Sequence, residues 1–172
     1  MTMYVRCGAT AEAQNVFDKL SLRNRVSWNI FIEGLAQHQQ VKEAVGCLEK
    51  MQSEGISPDV VAYVSVLSPC IDAKDEDETN SLHTMIIKRG LEGEGLVAST
   101  LVAAYAKCGS LLEAQMAFDK LLNANVVAWN ALTTDYAEYG LGGECLDSFA
   151  KMQANSIYAS AVTYICILKE WK

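Results

Sequence analysis

The sequence predicts an all-α chain, a right-handed α-solenoid of helix-turn-helix repeats. Three observations predict it. The chain matches itself at an offset of 101 residues, each copy carries apolar residues at helical spacing, and glycines and a proline stand where helices must stop. One helical hairpin cannot bury its own apolar face, whereas stacked hairpins can. The expected product is therefore a solenoid with a concave surface lined by first helices. Strand readings fail because no useful stretch alternates with a period of two, and turn signals lie too far apart.

The self-match runs without a gap. Tyr4 meets Tyr105, Cys7-Gly8 meets Cys108-Gly109, and Glu12-Ala13-Gln14 meets Glu113-Ala114-Gln115. Phe17-Asp18-Lys19-Leu20 meets Phe118-Asp119-Lys120-Leu121, and Trp28-Asn29 meets Trp129-Asn130. Lys50-Met51-Gln52 then meets Lys151-Met152-Gln153, followed by Tyr63 on Tyr164 and Leu67 on Leu168.

The long period divides into units of 35, 35 and 31 residues, each with two helical patterns. In the unit 25–59 the first helix is expected over 27–37, with Trp28, Ile32 and Leu35 on its apolar side. The second is expected over 41–53, with Ala44, Cys47, Leu48 and Met51 on one face. Gly55 closes it and Pro58 prevents continuation. The unit 60–94 repeats the plan over 62–72 and 76–88 and closes at Gly90; the shorter unit 95–125 does so over 98–107 and 111–122, with Gly109 at the corner. Incomplete units 1–24 and 161–172 flank these and a further full unit, 126–160, giving about four full or nearly full repeats plus a truncated one at the end.

Composition narrows the function. The 172 residues are half apolar and one-fifth charged, so the chain folds as one continuous array. A net charge of −7 argues against a generic electrostatic nucleic-acid binder, which carries a basic face. Part of the acidity is local: 72–78 holds five of the 21 acids and reads as a solvated turn and the acidic first turn of a helix. The six cysteines form no C-x-x-C pair and read as reduced, mostly buried small hydrophobes. The longest apolar stretch, 60–71, is too short to span a bilayer, and no targeting peptide is visible.

At this point the residues resemble a family. Val26-Ser27-Trp28-Asn29, Ala44 and the close Met51-Gln52-Ser53-Glu54-Gly55-Ile56-Ser57-Pro58-Asp59 resemble the 35-residue "P" unit of pentatricopeptide repeat proteins. Val61-Ala62-Tyr63-Val64-Ser65-Val66-Leu67-Ser68-Pro69-Cys70, with His83 and Ile87-Lys88-Arg89-Gly90, resembles the longer "L" unit. Tyr105-Ala106-Lys107-Cys108-Gly109-Ser110, with Ala114 and Phe118-Asp119, is similar to the short "S" unit. The order is then partial S (1–24), P (25–59), L (60–94), S (95–125), P (126–160) and partial L (161–172). The resemblance implies sequence-selective binding of single-stranded RNA in an organelle, the mitochondrion ahead of the chloroplast. It also implies a site-recognition module for RNA editing or processing, with editing or processing factors supplied in trans, and a fragment lacking a C-terminal deaminase-like domain. No cofactor, catalytic residue or membrane association is expected.

The resemblance also assigns residues. Two side chains per repeat face a base: Asn29 with Asp59, Ser99 with Asn125, and Asn130 with Ser160. Val26, Leu96 and Val127 align with the apolar residue that packs on the base face. The types suit the task, since Asn offers a donor and an acceptor in one plane, Asp only accepts and Ser does either. Each Asn or Ser alone would equally be a helix N-cap. By resemblance the pairs prefer U, A and C in that order, and the implied core is 5′-U-N-A-C-3′. The N lies opposite the L unit, where Val64 and Glu94 offer little discrimination.

Catalysis finds no support. A zinc deaminase needs H-x-E and C-x-x-C, and neither His38 nor His83 stands in such a motif. Both histidines read as surface or packing residues; Trp28 and Trp129 could stack on bases, but their place in the apolar stripe points to the core. The second P unit departs from the first: Ser156 replaces the closing glycine, Ala159 the proline, and Asp135 stands where the first has Gly34. Trp171 falls where the first L unit has Cys70. The competing reading is a helical-repeat scaffold for protein–protein interaction without RNA binding, which the acidic charge favours.

Overall fold

The computed structural model describes residues 2–121 and 124–169; among them are eleven α-helices and no strand. The expected end of one helix at Leu122, and the Trp171-Lys172 terminus, lie outside the described residues. The chain forms two compact units, Met1–Ala73 and Lys74–Lys172.

The first unit holds α1 (Thr2–Arg6), α2 (Thr10–Asp18), α3 (Arg25–Gln37), α4 (Val41–Ser53) and α5 (Val60–Ala73). Its core is aromatic. Phe17 meets Trp28 edge-on at 4.6 Å and stacks on Phe31 at 4.8 Å, with the Arg23 guanidinium over its ring at 5.0 Å. The expected stripe Trp28, Ile32 and Leu35 is buried, as are Ala44, Cys47, Leu48 and Met51 on α4. Burial pushes the Cys47 thiol up to about 11, which makes it inert. α1 lies so close to α3 that a Cβ at Gly34 would stand 2.2 Å from Val5 Cγ1.

The helix ends follow from local chemistry. Asn24 and Ser27 form a reciprocal capping box at α3, with bonds of 2.9 and 3.0 Å. α4 closes in a Schellman motif: Ile56 N–H donates to Met51 O, Gly55 N–H donates to Gln52 O, and Gly55 takes φ 77. α5 runs through Pro69, which cannot donate to the Ser65 carbonyl. On either side, Ser68 Oγ and Cys70 Sγ donate to the Val64 and Val66 carbonyls.

The second unit holds α6 (Glu76–Lys88), α7 (Gly95–Cys108), α8 (Leu111–Asp119), α9 (Val126–Glu138), α10 (Gly142–Ala154) and α11 (Ala161–Lys169). The acidic run is a helix start: Asp75 caps the Glu78 N–H at 3.1 Å, and Glu76, Asp77 and Glu78 form the first turn of α6. Phe118 meets Trp129 edge-on at 4.6 Å. Tyr105 is buried, donates to Asn80 Oδ1 at 2.9 Å and accepts from His83 Nδ1 at 2.8 Å. Burial raises the Tyr105 phenol to about 12 and lowers the His83 pKa. Gly109 turns the α7–α8 corner at φ 80, and the Tyr139 hydroxyl donates to its carbonyl.

α4 and α6 have the bounds the sequence predicts. α3, α5 and α7 begin two or three residues earlier than their apolar stripes indicate, at Arg25, Val60 and Gly95. Each helix starts directly after the last residue of the preceding repeat. α8 ends at Asp119, short of the predicted 122.

Candidate nucleic-acid interface

The last residue of a repeat is also the N-cap of the next first helix, and this double duty builds the candidate site. Asp59 Oδ1 accepts the Ala62 N–H at 3.1 Å. The same carboxylate receives the Asn29 amide, with Nδ2 at 3.1 and 3.3 Å from its two oxygens. Asn125 Oδ1 accepts the Ala128 N–H at 3.0 Å while its Nδ2 donates to Ser99 Oγ at 3.0 Å. The N-cap and base-facing alternatives for these residues are therefore compatible: one polar atom closes the helix and the rest of the side chain meets the partner on the preceding first helix.

The three pairs are not equivalent. Asn29 and Asp59 are both half-buried; the Asn29 Nδ2 is committed to the carboxylate, and Asn29 Oδ1 is buried with no hydrogen-bond partner. Ser99 is 3% exposed, its hydroxyl donates to Gly95 O at 2.5 Å, and Asn125 beside it is exposed. In this pair the solvent-facing group is Asn125. Asn130 and Ser160 are half-buried but are bridged rather than bonded: Thr163 Oγ1 donates to Asn130 Oδ1 at 2.5 Å and lies 3.3 Å from Ser160 Oγ. Thr163 was not among the predicted site residues. The signal that could have found it is its place three residues after the repeat end, where Ser27 stands after Asn24.

The predicted base-packing residues are large apolar side chains on the surface: Val26 is 65% exposed, Leu96 56% and Val127 55%. Each is the second residue of its first helix. Val61 and Val162, at 56% and 48% exposed, hold the same place in α5 and α11. An exposed apolar residue at one register in five helices is not accounted for by packing. In the unit 60–94, Val64 is half-buried and Glu94 is exposed without a side-chain cap bond.

Trp28 and Trp129 are 2% and 5% exposed, so they are core residues and offer no face to a base. His38 Nε2 bonds the Val5 carbonyl at 2.8 Å, and His83 is held by Tyr105. Among the described residues no three His, Cys, Asp or Glu side chains gather as a metal site, and no helix is long and apolar enough to cross a membrane. Among the described residues no cysteine forms a disulfide, and four of the six are buried.

Comparisons with known proteins agree with this architecture. A profile described as "PPR repeat family" matches residues 23–72, and one described as "PPR repeat" matches residues 97–126. A chloroplastic pentatricopeptide repeat-containing protein of Arabidopsis thaliana is 31% identical over 168 residues, which cover 98% of this chain and 21% of that protein. A mitochondrial one from the same plant is 33% identical over 165 residues, covering 96% of this chain and 26% of that protein. The chain thus spans about a fifth to a quarter of the length of these curated relatives. Among solved structures, the pentatricopeptide repeat protein PPR10 from maize superposes with a TM-score of 0.83 at 20% identity, over 98% of this chain and 25% of that one. PPR10 in complex with an 18-nt psaJ RNA element superposes at 0.72 and 21% identity, over 98% of this chain and 26% of that one. Both likenesses concern the fold.

Proposed function

Since the chain belongs to the pentatricopeptide repeat family, we propose that it binds single-stranded RNA and reads one base per repeat through Asn29 with Asp59, Ser99 with Asn125, and Asn130 with Ser160. The observation that carries this is the construction of the pairs. Each brings a first-helix residue together with the residue that precedes the next first helix, directly in two units and through Thr163 in the third, with Val26, Leu96 or Val127 exposed at the same register. A base can be hydrogen-bonded on its edge by the first group and covered on its face by the second. The repeat bounds are 25–59, 60–94, 95–125 and 126–160, with partial units 1–24 and 161–172, in P-L-S order.

The array is a site-recognition module for RNA editing or processing in an organelle, the mitochondrion ahead of the chloroplast, and the chemistry is supplied by factors in trans. PPR10, with its bound RNA element, and the chloroplastic and mitochondrial relatives support the reading. A net charge of −7 sets its energetics. Few phosphates are neutralised, so affinity should depend weakly on salt and come from the bases. Three selective positions choose about one random site in 64, so this segment alone binds weakly and a working address needs more repeats.

The test is binding to short labelled RNAs carrying 5′-U-N-A-C-3′ and its single-base variants, at low and moderate salt. Ser160→Asp recreates the Asn29–Asp59 combination and should move the preference at the last base from C towards U, a change of about 1–3 kcal/mol, with the A position untouched. Binding that persists with no base preference would place the contacts on the backbone. No binding at any salt, with repeats added at both ends, would leave the protein-scaffold reading that the acidic charge favours.

A further inference from the structure

We propose that Thr163, which lies in the following repeat, is a third specificity-determining residue of the Asn130–Ser160 unit because its hydroxyl fixes which edge of the Asn130 amide is offered to the base. The inference rests on the base-reading function proposed above. A threonine hydroxyl has one hydrogen, and at 2.5 Å that hydrogen goes to Asn130 Oδ1. The Thr163 oxygen in turn accepts the Ser160 N–H at 3.0 Å and, at 3.3 Å, the Ser160 hydroxyl hydrogen, since its own is already committed. The relay is directional: Ser160 Oγ–H to Thr163 Oγ1, and Thr163 Oγ1–H to Asn130 Oδ1. With its oxygen tied down, Asn130 keeps its Nδ2 hydrogens as what it has to offer a base.

The matching unit shows why a third residue is needed. Asp59 reaches the Asn29 amide directly, and residue 62, the counterpart of Thr163, is an alanine that contributes only its backbone N–H. In the second copy Thr163, 0% exposed, stands between Ser160 and Asn130 and its hydroxyl touches both. In α9 the residue at this register is Ala128, which likewise gives a backbone N–H alone. Of these three units, only the one that ends at Ser160 has the bridge.

An amide held as a donor favours a base that accepts on the middle of its Watson–Crick edge. Cytosine presents an unprotonated N3 there, whereas uracil presents N3–H and would oppose donor to donor. Thr163 therefore selects C over U. Without it the Asn130 amide can rotate by about 180° and serve either base.

Anisotropy titrations should compare RNAs that differ only in C or U opposite this repeat, using the full chain with Thr163→Val and Thr163→Ser. The parent should favour C about tenfold. Thr163→Val keeps the shape but loses the hydroxyl, both its hydrogen and the oxygen that accepts the Ser160 N–H, and the C:U ratio should fall to within about twofold, with the A preference at Ser99–Asn125 kept. Thr163→Ser should retain the ratio. A general folding role would weaken all positions together and lower the melting temperature of both variants, and that result would overturn the inference. So would a parent that reads C over U beside a valine variant that reads it equally well. A parent that binds no RNA would instead overturn the function on which it rests.

Discussion

The segments 25–59 and 126–160 are copies offset by 101 residues, and they differ where a repeat is free to differ. Their frame is held in common. Each places a buried tryptophan edge-on against a phenylalanine at 4.6 Å, with interplanar angles of 67° and 70°. Around that frame Phe31, with Arg23 from just before the unit, joins the first aromatic cluster, where the second copy has Leu132 and Ala124. The first tolerates only glycine at 34, and the second buries Asp135 at the same position. The comparison teaches that one aromatic contact and the helix terminators define the hairpin. The rest of the core and the polar edge at residues 29/59 and 130/160 can drift, with measurable consequences.

The largest expected effect is at Asp135. The residue is 2% exposed, neither carboxyl oxygen has a hydrogen-bond partner, and burial, with a smaller contribution from Glu138, raises its pKa to about 6. Desolvation disfavours the charged form. A carboxyl whose folded pKa lies above its unfolded 3.8 contributes stability that is fully present below pH 3.8 and is lost as pH rises through 6. A shift of roughly two units corresponds to about 3 kcal/mol. Asp135→Ala should therefore be more stable than the parent by about 2–3 kcal/mol at pH 8, with the gap closing towards pH 4. Urea midpoints of both proteins across that range isolate this group from the other acids. A difference that stays constant with pH would show that Asp135 is charged in the folded chain.

Gly34 is the converse. A Cβ there would stand 2.2 and 2.8 Å from the two Val5 methyls, so Gly34→Ala should cost about 1–3 kcal/mol through overpacking despite the better helix former. The second copy has Ala106 in place of Val5. Val5→Ala should accordingly relieve much of the cost, and a double-mutant cycle measures the coupling. Additive effects would mean that α1 moves aside instead.

Much of this was legible in the sequence because it follows from periodicity and terminators. α4 and α6 have the predicted bounds, since both carry an apolar face at helical spacing and end at a glycine corner. That Asn29 and Asn130, and Asp59 and Ser160, stand at equivalent positions followed from the repeat; that they face a base is what the family resemblance implies. First-helix starts were less legible, because the stripe begins inside the helix whereas the cap lies in the previous repeat. Asp135 was recognisable as a departure from Gly34, but its burial without a partner depends on packing. Thr163 was hidden for the same reason: a bridge between Asn130 and Ser160 exists only once two helices are side by side, and nothing in a threonine marks it.

The smallest effect concerns the corners, and here the two copies trade positions. After the first helix, the first unit turns at Gln39 with φ 60 and the second at Gly140 with φ 68. After the second helix, the first turns at Gly55 with φ 77 and the second at Ser156 with φ 59. The Schellman bonds survive the exchange: Ile157 N–H still donates to Met152 O at 3.1 Å and Ser156 N–H to Gln153 O at 2.9 Å. Each unit therefore carries one non-glycine residue in the left-handed region, which costs about 1 kcal/mol for a residue with a Cβ. A Cβ at Gly55 or Gly140 would meet nothing within 4 Å, so the cost is conformational rather than steric crowding by neighbours. Ser156→Gly and Gln39→Gly should each stabilise the chain by roughly 0.5–1 kcal/mol, less than the full strain because glycine also loosens the unfolded chain. Gly55→Ser should destabilise by a similar amount. If Gln39→Gly and Ser156→Gly shift the melting temperature equally, the two corners are interchangeable. If only Ser156→Gly does so, the two corners are not interchangeable and the strain lies in the second unit.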